Sequence, residues 1–404
     1  MLASSTLEVM RTADSIAVVG GGPAGALAAS RLADAGCNVL LFEEKMAWEK
    51  PCGGGLTNKA LVQFPFLAEA QADRNWVYQC RLTSPSGKQA LFELEQPIAI
   101  FSRRVLNGLI LERAQEAGAV VRKEHVVSID GGPGNWRLNT SAAQYEASFV
   151  ILAAGARSGL RARFARPFSP RDLMMTAGYY IPGIGHRMEI QFVAGLHGYI
   201  WIFPRMDHFS AGICGKITGC STQALRRILD QALAKSGLDT EGAQFYAHVL
   251  PSLTARTLRG SPIYGDGWAL VGDTAGFVDA ITGEGLYYAL RSAELASQAL
   301  LAGRADSYPA RVRSDFLPEL ELAAAMAERF FNGRWGGQPI VERMVEFTER
   351  SENFQALMRD LIAGSQGYRD LRHRLYRALP AMLAESLADA LRLKESEIEK
   401  QSIA

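Results

Sequence analysis

Two glycine-rich segments hold the residue types best suited to chemistry in this chain. They are Gly20-Gly-Gly-Pro-Ala-Gly25 and Gly272-Asp-Thr-Ala-Gly-Phe-Val-Asp-Ala-Ile-Thr-Gly-Glu-Gly285. In the first, Gly20 permits a tight turn, Gly22 lets backbone approach a phosphate, and Gly25 lets helix and strand pack closely. The helix that follows offers unpaired N–H groups and partial positive charge to a pyrophosphate. Glu43 ends the next apolar run, where a carboxylate accepts from ribose hydroxyls and disfavours a 2′-phosphate. That pattern suits FAD and NAD alike.

The second segment separates the two. Asp273 follows the apolar run Trp268–Val271 and Gly272, so it is presented at a strand end within reach of a ribityl chain. The turn Thr282-Gly-Glu-Gly285 then opens a helix whose N–H groups would stabilise negative charge on a reduced isoalloxazine. The expected cofactor is FAD, gripped at both ends.

The elements that must position these segments follow from pattern. Ile16–Gly20, Asn38–Phe42, Phe149–Ala153 and Trp268–Val271 read as buried parallel strands. Gly22 to Gly36, Arg103–Ala117 and Gly285–Leu301 read as helices. Trp76–Thr83 and Gln89–Glu95 read as antiparallel strands around a Pro85-Ser-Gly turn, and residues 172–215 hold further strand-like runs. Beyond Asp306 the chain reads as wholly helical. The expected fold is α/β (α+β overall). A discontinuous Rossmann-type FAD domain is assembled from 13–60, 100–160 and 255–302. An antiparallel-sheet substrate domain (61–99 and 161–254) is inserted into it, and a helical region, 303–404, closes the chain.

Composition sets limits. The 404 residues carry 48% apolar and 21% charged side chains with net charge +1, which favours neither nucleic acid nor an acidic partner. Five scattered cysteines form no C-x-x-C pair, which suits a reducing cytosol rather than a disulfide framework. Met1 to Asp14 lacks the layout of a signal peptide, and no apolar run reaches the ~18 residues needed to span a bilayer. A cytoplasmic enzyme is expected. The six histidines show no ligand spacing, so no metal is expected.

Four pieces taken in order resemble the geranylgeranyl reductase family, within the flavoproteins of the p-hydroxybenzoate hydroxylase fold. They are Val18-Val-Gly-Gly-Gly-Pro-Ala-Gly25, Lys50-Pro-Cys-Gly-Gly-Gly55, Gly198-Tyr-Ile-Trp-Ile-Phe-Pro204 and the 272–285 segment. The likeness covers roughly residues 14–330, and the Pro-Cys-Gly-Gly piece is its most specific part. It implies an FAD-dependent oxidoreductase that reduces C=C bonds of a large apolar, isoprenoid substrate by hydride transfer from flavin N5.

By this likeness Cys52 and Gly53 pass close to the flavin, with Cys52 either packing or delivering a proton. Arg103 leads the helix beside the cofactor, with Arg104 its rival and Asn107 where the family has aspartate, and the Val127 backbone meets the adenine. Ala24, Gly155 and Leu286 complete the expected cofactor contacts with Gly20, Gly22, Gly25, Glu43, Gly272, Asp273, Gly283 and Gly285. Tyr199, Trp201 and Phe203 alternate onto one face of a strand and are the expected substrate wall.

Ala154 stands where NAD(P)H-using hydroxylases of this fold carry aspartate, so ferredoxin or a separate flavin reductase competes with NAD(P)H as electron donor. A flavin monooxygenase or halogenase, with a monooxygenase-like fold, is the enzymatic alternative. An electron-transfer flavoprotein to quinone is the alternative from another class. In the tail, Phe354, Leu357, Met358 and Leu361, then Leu371, Leu375, Tyr376 and Leu379, recur at helical spacing, with Arg369, Arg372, Arg374 and Arg377 interleaved. They are expected to pack on the protein's own core, with a peripheral membrane contact as the competing reading.

Overall fold

The computed structural model describes residues 9–10, 15–371, 373–377 and 380. A six-stranded sheet carries the nucleotide half. Trp268–Leu270, Phe149–Leu152, Ile16–Val19, Val39–Phe42 and Val120–Arg122 lie parallel in that order, and Tyr264–Gly265 pairs antiparallel at one edge. Strands this apolar need cover on both faces. Helix Pro23–Asp34 covers one of them: Ala26, Leu27, Ala28, Ala29 and Leu32 are wholly buried, and the helix packs between Arg103–Glu116 and Leu286–Leu301. Residues 126–147 form a separate antiparallel layer with Val9–Met10 added at its edge.

The second half is an eight-stranded sheet built from 55–56, 74–101, 173–216 and 244–251. Gly55–Leu56, expected within the nucleotide portion, pairs with Ile100 and Ala99 at the edge of this sheet. The sheet is antiparallel except where Arg187–Phe192 runs parallel to Arg74–Thr83, a departure from the expected antiparallel sheet. A long excursion through the nucleotide sheet separates those strands in sequence, and the crossover it provides is what a parallel neighbour requires.

Helix Thr222–Lys235 covers one face of this sheet through Leu225, Leu229 and Leu233. The C-terminal helices cover part of the other: Phe331, Val341, Val345, Phe354 and Leu357 meet Val77, Phe92 and Ile100 in one apolar cluster. So Phe354, Leu357 and Met358 are core residues, and Leu361, Leu371 and Leu375 pack partly against the same cluster. Tyr376 is exposed, whereas Arg372 and Leu379 lie outside the described residues.

The region after Asp306 is not wholly helical, as the pattern had suggested. Arg334–Trp335 and Gln338–Pro339 form a hairpin, because Gly336 and Gly337 both take positive φ (56° and 79°), the pair of values a tight two-residue turn needs. Among the described residues no helix is long and apolar enough to cross a membrane.

Candidate functional site

A continuous hollow of about 1330 Å³ runs from the glycine loop of the nucleotide sheet onto the face of the large sheet that the C-terminal helices partly cover. Its nucleotide end follows from backbone geometry. Gly20 has φ +103°, and a Cβ there would stand 2.4 Å from the Ala153 carbonyl oxygen. A Cβ on Gly25 would come within 1.8 Å of the Gly20 carbonyl oxygen, so that glycine is what lets the helix sit against the turn. Glu43 Oε2 accepts from the Gly21 amide at 2.7 Å and Oε1 from Lys45 at 2.9 Å. Its carboxylate therefore fixes the loop as well as facing the hollow.

Two helix N-termini open on this space without a side-chain cap: Pro23–Asp34, led by Gly22, and Leu286–Leu301, led by Gly285. Uncapped N–H groups of this kind are ready anion sites. Buried Arg103 joins them, with Nη2 donating to Asn107 Oδ1 at 3.3 Å and Nε left without any partner. Two positive helix ends and an orphaned guanidinium nitrogen on one wall fit a long dianionic dinucleotide.

Gly20, Gly22, Ala24, Glu43, Arg103, Val127 and Gly155 line the nucleotide end. Cys52, Gly53, Asp273, Gly283, Gly285 and Leu286 line the middle, and Tyr199, Trp201 and Phe203 the sheet side. Two expected contacts stand behind the wall instead. Gly25 packs helix on turn, and Gly272 donates its N–H to Ser292 Oγ at 2.9 Å and lies against Ala24 and Ala289. Both are small because elements cross there. Arg104 also lines the hollow, but it is exposed whereas Arg103 is buried.

Several contacts at the site were not legible in the sequence. Lys50 Nζ pairs with Asp273 at 3.0 Å and, although burial opposes it, holds that carboxyl below the ordinary aspartate range with help from Arg103 and His248. Arg205, 1% exposed, binds Glu49 and donates to the Cys52 carbonyl at 2.8 Å, which Ser210 Oγ also bonds at 2.9 Å. Glu49 accepts from the backbone of Arg103 and Arg104 as well, so one carboxylate ties the cysteine loop to the arginine-led helix. Burial works against its charge, but Arg205, Ser102 and those amides keep it ionised. The Phe203 ring lies over Gly53, and the Tyr199 hydroxyl donates to the Thr282 carbonyl, which joins the large sheet to the flavin-end turn.

His248 is half-buried, and its ring is pushed down to about 4 by burial, then by Lys50, with Asp273 opposing and Arg103 and Arg157 adding. An unfolded chain takes up this proton near 6.5, whereas the native ring stays neutral until about 4. Stability is therefore complete above 6.5 and is lost as pH falls towards 4, by roughly 1 kcal/mol per pH unit. Urea titrations at pH 7 and pH 5 should show a smaller loss of stability on acidification for His248→Gln than for the wild type. An equal loss in both proteins would remove His248 from the account.

The remaining limb of the hollow is apolar. Cross-strand pairs place Ile190 opposite Trp201 and Phe192 opposite Tyr199, so Met188, Ile190 and Phe192 extend the aromatic face by one strand, and Leu82 extends it by another. Opposite them stand Met326, Phe330, Met344, Met358, Leu361 and Leu371 of the C-terminal helices. From His248 to Leu82 the floor crosses five strand spacings, roughly 24 Å.

Residues 14–162 match the model of the pyridine nucleotide-disulphide oxidoreductase family. The chain is 27% identical over 326 residues to a chloroplastic geranylgeranyl diphosphate reductase of Arabidopsis thaliana, covering 71% of this chain and 66%, just under two thirds, of that one. It is 27% identical over 347 residues to a digeranylgeranylglycerophospholipid reductase of Methanopyrus kandleri, covering 79% and 81%. The fold matches a geranylgeranyl bacteriochlorophyll reductase-like protein from Thermoplasma acidophilum at TM-score 0.73 and 20% identity, over 90% of this chain and 99% of that one.

This is an FAD-dependent oxidoreductase with geranylgeranyl reductases among the proteins it resembles. The flavoprotein also shares its fold with a p-nitrophenol 4-monooxygenase of Pseudomonas putida (TM-score 0.67, 16% identity, 89% and 100% covered). Monooxygenase and reductase thus share one scaffold, and the lining of the hollow has to separate them.

Proposed function

We propose that the flavoprotein saturates carbon–carbon double bonds in a large, isoprenoid-type substrate. The observation that carries this reading is the continuity of the dinucleotide groove with an apolar limb that, among the described residues, holds no charged side chain on the sheet strands or helices facing it. The group held in the groove would be FAD, and the chemistry it would supply there is hydride donation from N5. The chain's own residues do the rest. Gly20, Gly22 and Arg103 bind the phosphates and ring, Asp273 meets the ribityl chain, and the Thr282–Gly285 turn favours charge on the reduced ring. Tyr199, Trp201 and Phe203 form a wall, and the limb beyond them takes the substrate's tail and excludes water. Four methionines in it (Met188, Met326, Met344, Met358) give a lining that adapts to a flexible chain.

Cys52 faces the hollow with its sulfur accepting from the Gly54 amide at 3.3 Å. Ala154 lines the groove where related hydroxylases place a carboxylate, and this favours ferredoxin or a partner reductase over NAD(P)H as electron donor.

Anaerobic mixing of photoreduced holoprotein with geranylgeranyl diphosphate tests the reading. Flavin reoxidation in step with alkene loss supports it. Reoxidation only after O₂ is admitted, yielding a hydroxylated or halogenated phenol, sinks it. Reoxidation by a quinone alone, with no carbon product, also sinks it.

A further inference from the structure

Reduction of an alkene by hydride leaves a second carbon in need of a proton, so the hollow must present a donor. Four tyrosines line it: Tyr180, Tyr199, Tyr246 and Tyr368. Three already spend their hydroxyls on the protein. Tyr199 donates to the Thr282 carbonyl, Tyr246 bonds Ser210 Oγ at 3.2 Å, and Tyr368 donates to Asp279 Oδ1 at 3.2 Å. The Tyr180 hydroxyl is buried without a partner. Among the described residues only two such orphaned side-chain atoms belong to groups lining the hollow, and the other is Arg103 Nε. A buried polar atom without a partner costs on the order of 1–3 kcal/mol, a cost that a bound molecule removes.

The ring of Tyr180 is held in place. It rests 4.6 Å from Tyr246 and 5.5 Å from His208 between centroids, with the Arg205 guanidinium 5.2 Å from its own centroid. Arg205 in turn binds the Cys52 carbonyl, so the tyrosine and the cysteine loop share one anchor.

We propose that Tyr180 is a catalytic acid of the reduction. As the hydride from reduced FAD forms a C–H bond at one alkene carbon, the π electron pair takes the Tyr180 proton at the neighbouring carbon. The alkene gains two hydrogens and two electrons, FAD is oxidised, and a phenolate remains beside Arg205 until water returns its proton. Burial, reinforced by Glu49 and Cys52, raises the phenol above its ordinary range and makes it a weaker acid, and Arg205 is the group that opposes this by favouring the phenolate.

This inference rests on the alkene-reductase reading, and Tyr180→Phe separates the two because it keeps the ring and removes only the hydroxyl. Holoproteins of wild type, Tyr180→Phe and, as a control away from the hollow, Tyr179→Phe, whose hydroxyl donates to Asp230 at 2.8 Å, would be compared for FAD affinity, for binding of geranylgeranyl diphosphate to the oxidised form, and for single-turnover flavin reoxidation in H₂O and D₂O. Tyr180→Phe should bind both molecules as the wild type does, react about 10²–10⁴-fold more slowly, and lose the solvent isotope effect of the wild type. Tyr179→Phe should stay within threefold of the wild type. A Tyr180→Phe protein that keeps the wild-type rate overturns the inference alone. One that is slow only because it binds alkene or FAD poorly gives Tyr180 a structural role and also overturns it. A wild type that saturates no alkene overturns both readings.

Discussion

Replacing Gly22 with valine is expected to give a folded protein that no longer retains FAD. Gly22 caps helix Pro23–Asp34 with φ −66° and ψ 178°, values open to any residue. A Cβ there meets nothing within 4 Å. The protein itself therefore loses nothing when a side chain is added, and thermal unfolding of the apoprotein should be unchanged. The empty space next to Gly22 is the space a phosphate must enter to reach the helix N–H groups, and two extra methyls would fill it. A loss of affinity of at least about a hundredfold, roughly 2.7 kcal/mol, is expected in FAD titrations followed by flavin fluorescence. The contrast with Gly25 is the control. Its Cβ would strike the Gly20 carbonyl at 1.8 Å, so Gly25→Val should lower stability and FAD content together. A Gly22→Val protein that binds FAD normally would move the pyrophosphate elsewhere.

Narrowing the apolar limb should change which substrates are accepted. Ile190 stands on the cavity face between Trp201 and Leu82, its partners on the neighbouring strands. A tryptophan in its place fills space one strand beyond the aromatic wall and leaves the nucleotide end as it was. Ile190→Trp should keep FAD, act on geranyl diphosphate within threefold of wild type, and lose roughly 10- to 200-fold in kcat/KM for geranylgeranyl diphosphate, the range expected of pocket contacts of this size. Chain-length profiles of wild type and variant measure this. Equal losses on both substrates would mean that the limb is not where the tail lies.

Much of this site could be read from residue order alone. The glycine turn, Glu43 and the 272–285 segment announce themselves because backbone approach to phosphate demands small residues at fixed spacing. That requirement is local, and local requirements leave local signals. Gly272 shows where the signal misleads: a glycine demanded by element crossing looks the same as one demanded by a ligand.

The groups around the cysteine loop leave no such trace. Glu49, Arg205, Ser210 and Tyr180 come together only through the register of the large sheet, which pairs Tyr180 with Ser210 and so sets both on one face. The tail shows the same limit in another form. Its helical period announced apolar faces, yet Met344, Met358 and Leu361 divide between packing the sheet and lining the hollow, and period alone gives both the same signature. The Arg334–Pro339 hairpin passed unnoticed because four strand residues around two glycines are too short to register against the helices on either side.

The central claim is that one hollow brings an isoprenoid double bond to the flavin, and the mass of the recovered lipid tests it most directly. Photoreduced holoprotein, mixed anaerobically with geranylgeranyl diphosphate and quenched, should return a lipid heavier by two hydrogens for each bond saturated, with one flavin oxidised per bond. A lipid of unchanged mass beside still-reduced flavin, or one that gains oxygen or halogen when air is admitted, would contradict the account.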